Sequence, residues 1–163
     1  MSTCIGKKAE KKIQEWLDRP EDGYCFDRLK DQTSGFYGSK NICDFTLYKY
    51  PSMYYIESKA TYNDRFDFGT ISGLDIPEDT TCQFGGMLAK SKIPGVHSKV
   101  IVLFATQKRA FIIDINEIAR LAATGKKSLN INKISNWDID YQEIETIPNN
   151  RKQLLNYTGG WLC

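Results

Sequence analysis

The chain has 163 residues, 41% hydrophobic and 26% charged, with 22 Lys+Arg against 20 Asp+Glu and a net charge of +2. This is the composition of one globular domain. It excludes a disordered or collagen-like chain and a uniformly basic one, while leaving room for a local basic face. The five cysteines (Cys4, Cys25, Cys43, Cys82, Cys163) are odd in number and widely spaced, and His97 is the only histidine. Zinc sites want closely spaced Cys/His pairs, so none is expected. The Lys-rich, helically patterned first 20 residues do not read as a secretory leader, and no apolar run reaches the ~20 residues of a membrane span. A cytoplasmic protein with reduced thiols and no membrane partner is expected.

In chain order, residues 7–19 predict a helix, with Ala9, Ile13, Trp16 and Leu17 on one face and Pro20 as its stop. Residues 24–29 predict a short strand, and the Gly/Ser-rich segment 30–41 a loop. Residues 42–50 and 54–61 predict a hairpin turning at Pro51-Ser52. The polar stretch 62–80 reads as a long connection, a length that often carries function. A helix is expected over 82–92, capped by Thr80 or Thr81 and ended by Pro94-Gly95. The apolar run Val100–Ala105 predicts a strand buried on both faces, with Ala110–Ile115 as its neighbour. Asn116 is placed as the cap of a further helix closed by Gly125, and 126–163 yields no clear assignment. His97, just after Pro94-Gly95, reads as a surface-loop residue. The sum is one domain over 1–163: a mixed α/β fold of order α-β-β-β-α-β-β-α around a central sheet.

Familiar motifs fail. Gly125-Lys126-Lys127-Ser128 is no phosphate-binding loop, because Arg120 stands where its first glycine belongs. One constellation does better. Glu57 and Lys59 are two apart and project from the same strand face. A hairpin pairing positions that sum to about 102 places Asp44 opposite residue 58, beside both. Two carboxylates suit a hard divalent cation, which would lower the pKa of a bound water and neutralise charge on a phosphate. A neighbouring lysine would orient the water or balance that charge. Asp, Glu and Lys on a hairpin face are more often simply solvated, so the pattern needs support from elsewhere.

Glu10 supplies some of it. At 100° per residue it borders the buried stripe of the first helix, where a carboxylate needs a partner; a metal site, Lys59 or a neighbouring lysine would each serve. Gln83 opens the second helix on the flank of the Phe84/Met87/Leu88 face, placed either to bond a metal-bound water or to satisfy helix-end backbone donors. Lysines cluster at Lys7, Lys8, Lys11 and Lys12, at Lys90 and Lys92, at Lys108 with Arg109, and at Lys126 and Lys127.

At these residues the chain resembles a family. Asp44-Phe45, then Tyr55-Ile56-Glu57-Ser58-Lys59-Ala60-Thr61, then Gln83 with Met87 and the strands Val100–Phe104 and Arg109–Asp114 resemble the PD-(D/E)xK nucleases. More narrowly they resemble the RecU-type Holliday junction resolvases of Gram-positive bacteria and their phages. The resemblance covers roughly 5–120 and implies a restriction-endonuclease-like αβββαβ core, with 126–163 as a C-terminal extension.

It implies Mg²⁺ or Mn²⁺ held by Asp44, Glu57 and the Ser58 carbonyl, water positioned by Lys59, and a site completed by Glu10 and Gln83. It also implies a homodimer nicking a four-way or otherwise branched DNA symmetrically. A stalk over 30–41 would enter the junction with Phe36 and Tyr37 near its tip, and Lys7, Lys11 and Lys40 would meet phosphates. Ile42 and Cys43 stand where the family usually has threonines, the longer N-terminal arm is missing, and 62–80 differs from its counterpart. A restriction-type endonuclease, an exonuclease of the same core, or a non-catalytic DNA-binding recombination module are the alternatives.

Overall fold

The computed structural model describes residues 2–18, 23–29 and 41–144. Its elements are α1 (Ser2–Leu17), β1 (Tyr24–Arg28), β2 (Phe45–Lys49), β3 (Ser52–Thr61), β4 (Arg65–Asp67), α2 (Gln83–Ser91), β5 (Val96–Phe104), β6 (Arg109–Asp114), α3 (Ile115–Ala123), β7 (Ser128–Asn130) and β8 (Tyr141–Ile144). 3₁₀ turns occupy Phe68–Thr70 and, with a kink at Lys133, Ile131–Asn136. The expected αβββαβ order is present, with β4 inserted before α2. Six strands form one mixed sheet in the order β1-β2-β3-β5-β6-β8, and β4 pairs with β7 in a separate two-stranded sheet. The β3–β5 pair is parallel; the other pairs are antiparallel.

The alternation of apolar residues divides the core between the two sheet faces. Phe45, Leu47, Tyr54, Ile56, Ile101 and Ile112 pack against Ile13, Trp16 and Leu17 of α1. On the other face Val100, Val102, Phe104, Phe111 and Ile113 pack against Phe84 and Met87 of α2 and Ile118 and Leu121 of α3. Each such side chain, once fully buried, contributes about 1.5–3 kcal/mol of transfer free energy. β5 is covered on both faces, which is why its sequence is a continuous apolar run.

Several local expectations are corrected. The hairpin turns at Tyr50-Pro51, with Lys49 paired to Ser52. Proline has no N–H to give to a ladder, so it falls outside the pairing. The register sum is therefore 101, as in Phe45↔Ile56; Asp44 lies just beyond the paired residues, and its carboxylate meets Ser58, the position expected opposite it. His97 lies inside β5 and stacks on Tyr54 at 4.9 Å between ring centroids, so it is not a loop residue. Cys82, not Thr80 or Thr81, occupies the N-cap of α2. Asp114 caps α3, accepting the Asn116 N–H at 2.9 Å. The stretch 62–80 is not an unstructured connection: it holds β4, and Phe66, Phe68 and Ile71 are buried in the α2/α3-side core. Beyond 126, β7 and β8 complete the two sheets.

Two glycines let α2 sit close to the segment before it. A Cβ on Gly85 would meet the Asp79 carbonyl oxygen at 2.2 Å, and one on Gly86 would meet Ile42 Cγ2 at 2.5 Å. The first obstacle is backbone and cannot rotate away. Gly85→Ala is therefore expected to cost about 1–3 kcal/mol through overpacking, lowering the melting temperature by roughly 5 °C. A thermal melt at or above the wild-type temperature would show that α2 does not need this close approach.

Candidate active site

Three elements bring the candidate residues together. Asp44 sits just before β2, where the Leu29 N–H donates to its carbonyl at 2.8 Å and its own N–H donates to the Ile56 carbonyl at 3.1 Å. Its carboxylate Oδ2 accepts both the Ser58 N–H and the Ser58 Oγ–H, each at 2.8 Å. Ser58 thus holds the Asp44 carboxylate at β3 by two bonds from one residue.

Glu57 is 1% exposed. Its Oε1 takes the Lys59 ammonium at 2.7 Å and the Gln83 Nε2–H at 2.9 Å. Lys59 and Glu57 meet because they are two apart on one strand, and Gln83 reaches them from the first turn of α2. Gln83 Oε1 accepts the Ser72 N–H at 3.3 Å and lies 3.5 Å from Lys59 Nζ. Both neighbours are donors, so the amide oxygen faces them and the NH₂ faces Glu57. Ser72 is a residue sequence reasoning missed. Its carbonyl also accepts the Phe84 N–H at 2.9 Å and its Oγ the Gln83 N–H at 3.5 Å, so it closes the N-terminus of α2 from a distance. Nothing in the local pattern of 62–80 marks it.

The second oxygen of Glu57, Oε2, is buried and has no hydrogen-bond partner. A buried charged oxygen left without a donor is costly. The protein responds by favouring the neutral acid: burial first, then the nearby Asp44 charge, push the Glu57 carboxyl up to about 7 from an ordinary 4.5, against the pull of Lys59 and Gln83. The same surroundings, burial foremost, push the adjacent Cys43 thiol up to about 12, so it stays protonated.

An oxygen-ligated cation fits this set. Asp44, held at Ser58, and Glu57, one residue before it on β3, supply hard carboxylate oxygens, and Oε2 is a buried acceptor that lacks a donor. Among the described residues no group of three or more His, Cys, Asp or Glu side chains is placed to hold a metal ion. Further ligands would therefore be carbonyl or water oxygens, the coordination Mg²⁺ ordinarily keeps.

Glu10 does not reach Lys59; its Oε2 pairs with Arg28 Nη2 at 2.5 Å. α1 lies close enough to β1 for the Tyr24 hydroxyl to donate to the Leu17 carbonyl, which brings Arg28 within reach. Arg28 adjoins Leu29, whose N–H bonds the Asp44 carbonyl, so this ion pair stands at the Asp44 end of the sheet. Lys7 and Lys11 are exposed on α1, away from its buried stripe. Phe36, Tyr37 and Lys40 lie outside the described residues.

No described helix is long and apolar enough to cross a membrane. No protein-family model and no curated protein sequence matches the chain. Among solved structures the chain is similar to Hjc of Archaeoglobus fulgidus, a Holliday junction resolvase from an archaeal hyperthermophile. The likeness has a TM-score of 0.49 and 13% identity over 78% of this chain and 89% of that one.

Proposed function

We propose that the chain is a divalent-cation-dependent DNA endonuclease that resolves four-way junctions as a homodimer, with Mg²⁺ or Mn²⁺ as its cofactor. The observation that carries the reading is the buried, donorless Glu57 Oε2 beside a serine-anchored Asp44 and a lysine aimed at the same carboxylate.

Asp44 and Glu57, with the Ser58 carbonyl, would hold the cation, which supplies an acidified water and neutralises charge on the scissile phosphate. Lys59 lies 2.7 Å from Glu57 and keeps a 20% exposed side chain. It is positioned to orient the attacking water or to balance the phosphorane charge. Gln83 fixes the Glu57 carboxyl by its Oε1, which leaves Oε2 for the cation.

The test is cleavage of a synthetic four-way junction and of linear duplex, each with Mg²⁺, with Mn²⁺ and with EDTA. Metal-dependent paired nicks confined to the junction are the expected result. Cutting of linear duplex would move the protein to a restriction-type or exonuclease branch. Binding without cutting under every metal condition would make it a DNA-binding module.

A further inference from the structure

A cleft of about 360 Å³ lies between the segment around Ile71–Leu74 and the C-terminal end of α3. From its position and charge we infer that it carries the phosphodiester backbone of the substrate DNA away from the candidate active site, with Lys126 and Lys127 as its phosphate contacts. This rests on the nuclease reading above and assigns that site its substrate track.

Continuity is the first argument. Ile71 and Gly73 line the cleft, and Ser72 between them is hydrogen-bonded to Gln83. The cleft wall therefore begins one residue, about 3.8 Å of chain, from a group bonded within the site. Glu57, Lys59 and Gln83 lie on the sheet face that α2 and α3 cover, as this cleft does, whereas the lysines of α1 stand over the opposite face.

Shape is the second. Gly69, Gly73 and Gly125 line the cleft and present no side chains into it. That lets a bulky, extended ligand approach the backbone closely.

Charge is the third. Lys127 is exposed, and its carbonyl accepts the Phe68 N–H at 3.0 Å, so its backbone is fixed while its ammonium is free to move. Lys126 is half-buried with Nζ 3.5 Å from the Asn136 carbonyl. No described carboxylate forms an ion pair with either; Asp75 is the one acid in the lining. A second cleft, of about 470 Å³, has the opposite balance. Glu117, Asp138 and Asp140 line it, and its one cation, Arg120, is already paired to Glu117 at 2.8 Å. With a net charge of only +2 on the whole chain, such local differences decide where a polyanion lies.

The test measures junction affinity against salt concentration, in EDTA, for wild type, Lys126→Gln/Lys127→Gln, Lys127→Gln alone, and Lys133→Gln. Lys133 is an exposed lysine next to Ile134 of the acidic cleft and serves as the charge-matched control. The double variant is expected to bind about 5–10-fold more weakly near 0.15 M salt, with a salt slope smaller by about 1–2. The single variant is expected to show roughly half that change in slope, and Lys133→Gln none.

Unchanged affinity and slope in Lys127→Gln, whose side chain makes no hydrogen bond or ion pair among the described residues, would overturn the assignment even if the double variant proved unstable. An equal loss in Lys133→Gln would overturn it too, showing only a dependence on net charge. A wild type that binds neither junction nor duplex would overturn the nuclease reading itself, and the cleft's role with it.

Discussion

Asp44→Asn is expected to slow metal-dependent junction cleavage by about 10²–10³-fold or more while leaving junction binding equal to wild type or tighter. The magnitude is that of removing one preorganised electrostatic group from a reacting centre. The substitution is close to isosteric. The asparagine carbonyl can still accept the Ser58 N–H that the Asp44 carboxylate accepts at 2.8 Å, so the hairpin should survive. What is lost is a negative charge in a site that already confines two. For the cation this removes a ligand; for an approaching phosphate it removes repulsion, hence the retained or improved binding. Single-turnover cleavage and fluorescence anisotropy on the same preparation separate the two effects. Parallel loss of binding and cleavage, with a fallen melting temperature, would make Asp44 a structural residue.

Glu57→Gln should stabilise the metal-free protein at pH 8 and have little effect near pH 5. Glu57 retains its proton in the folded state up to about pH 7, against an ordinary value of 4.5. The folded chain therefore binds one proton more than the unfolded chain between those values. Wild-type stability then falls as pH rises from about 4.5 to 7, and the full penalty applies above. A displacement of this size corresponds to about 3 kcal/mol. The pull of Lys59 is already contained in that displacement, so a stabilisation of up to about 3 kcal/mol, or roughly 6–12 °C in melting temperature, is expected. Asp114 and Glu143 titrate low through their partners Lys99 and Arg109, but they do so in both proteins and cancel in the difference. Added Mg²⁺ should raise the melting temperature of wild type and not of the variant, because a ligand stabilises only the fold that binds it. A variant destabilised equally at pH 5 and pH 8 would show that Glu57 acts through its ion pair alone.

What the sequence revealed of the site followed from short-range geometry. Glu57 and Lys59 share a face because strands repeat every two residues, and Gln83 lies where a helix must open toward the sheet. The hairpin register slipped by one because Ser52 looks like a turn residue, yet it pairs with Lys49. Glu10 was legible as a carboxylate needing a partner, but naming Arg28 required knowing that α1 lies near β1, a long-range fact. Ser72 contributes chiefly through its backbone N–H and carbonyl, which no side-chain pattern records. The buried stretch Phe66, Phe68 and Ile71 was hidden because β4 has three residues and its partner β7 lies 60-odd positions away, too short and too distant for periodicity to register.

The parallel pairing of β3 with β5 has a consequence for the order in which the molecule is put together. Asp44 meets Ser58 within one hairpin, across 14 residues of chain, whereas Gln83 meets Glu57 across 26 and from a crossover that must dock before β5 can pair. Hairpins close in about 1–10 μs, while non-local parallel pairing waits on the longer chain closure. A refolding molecule should therefore possess both carboxylates well before it possesses the amide that orients one of them. Return of function after dilution from denaturant would then trail the return of hairpin signal, and that lag would time the arrival of the crossover.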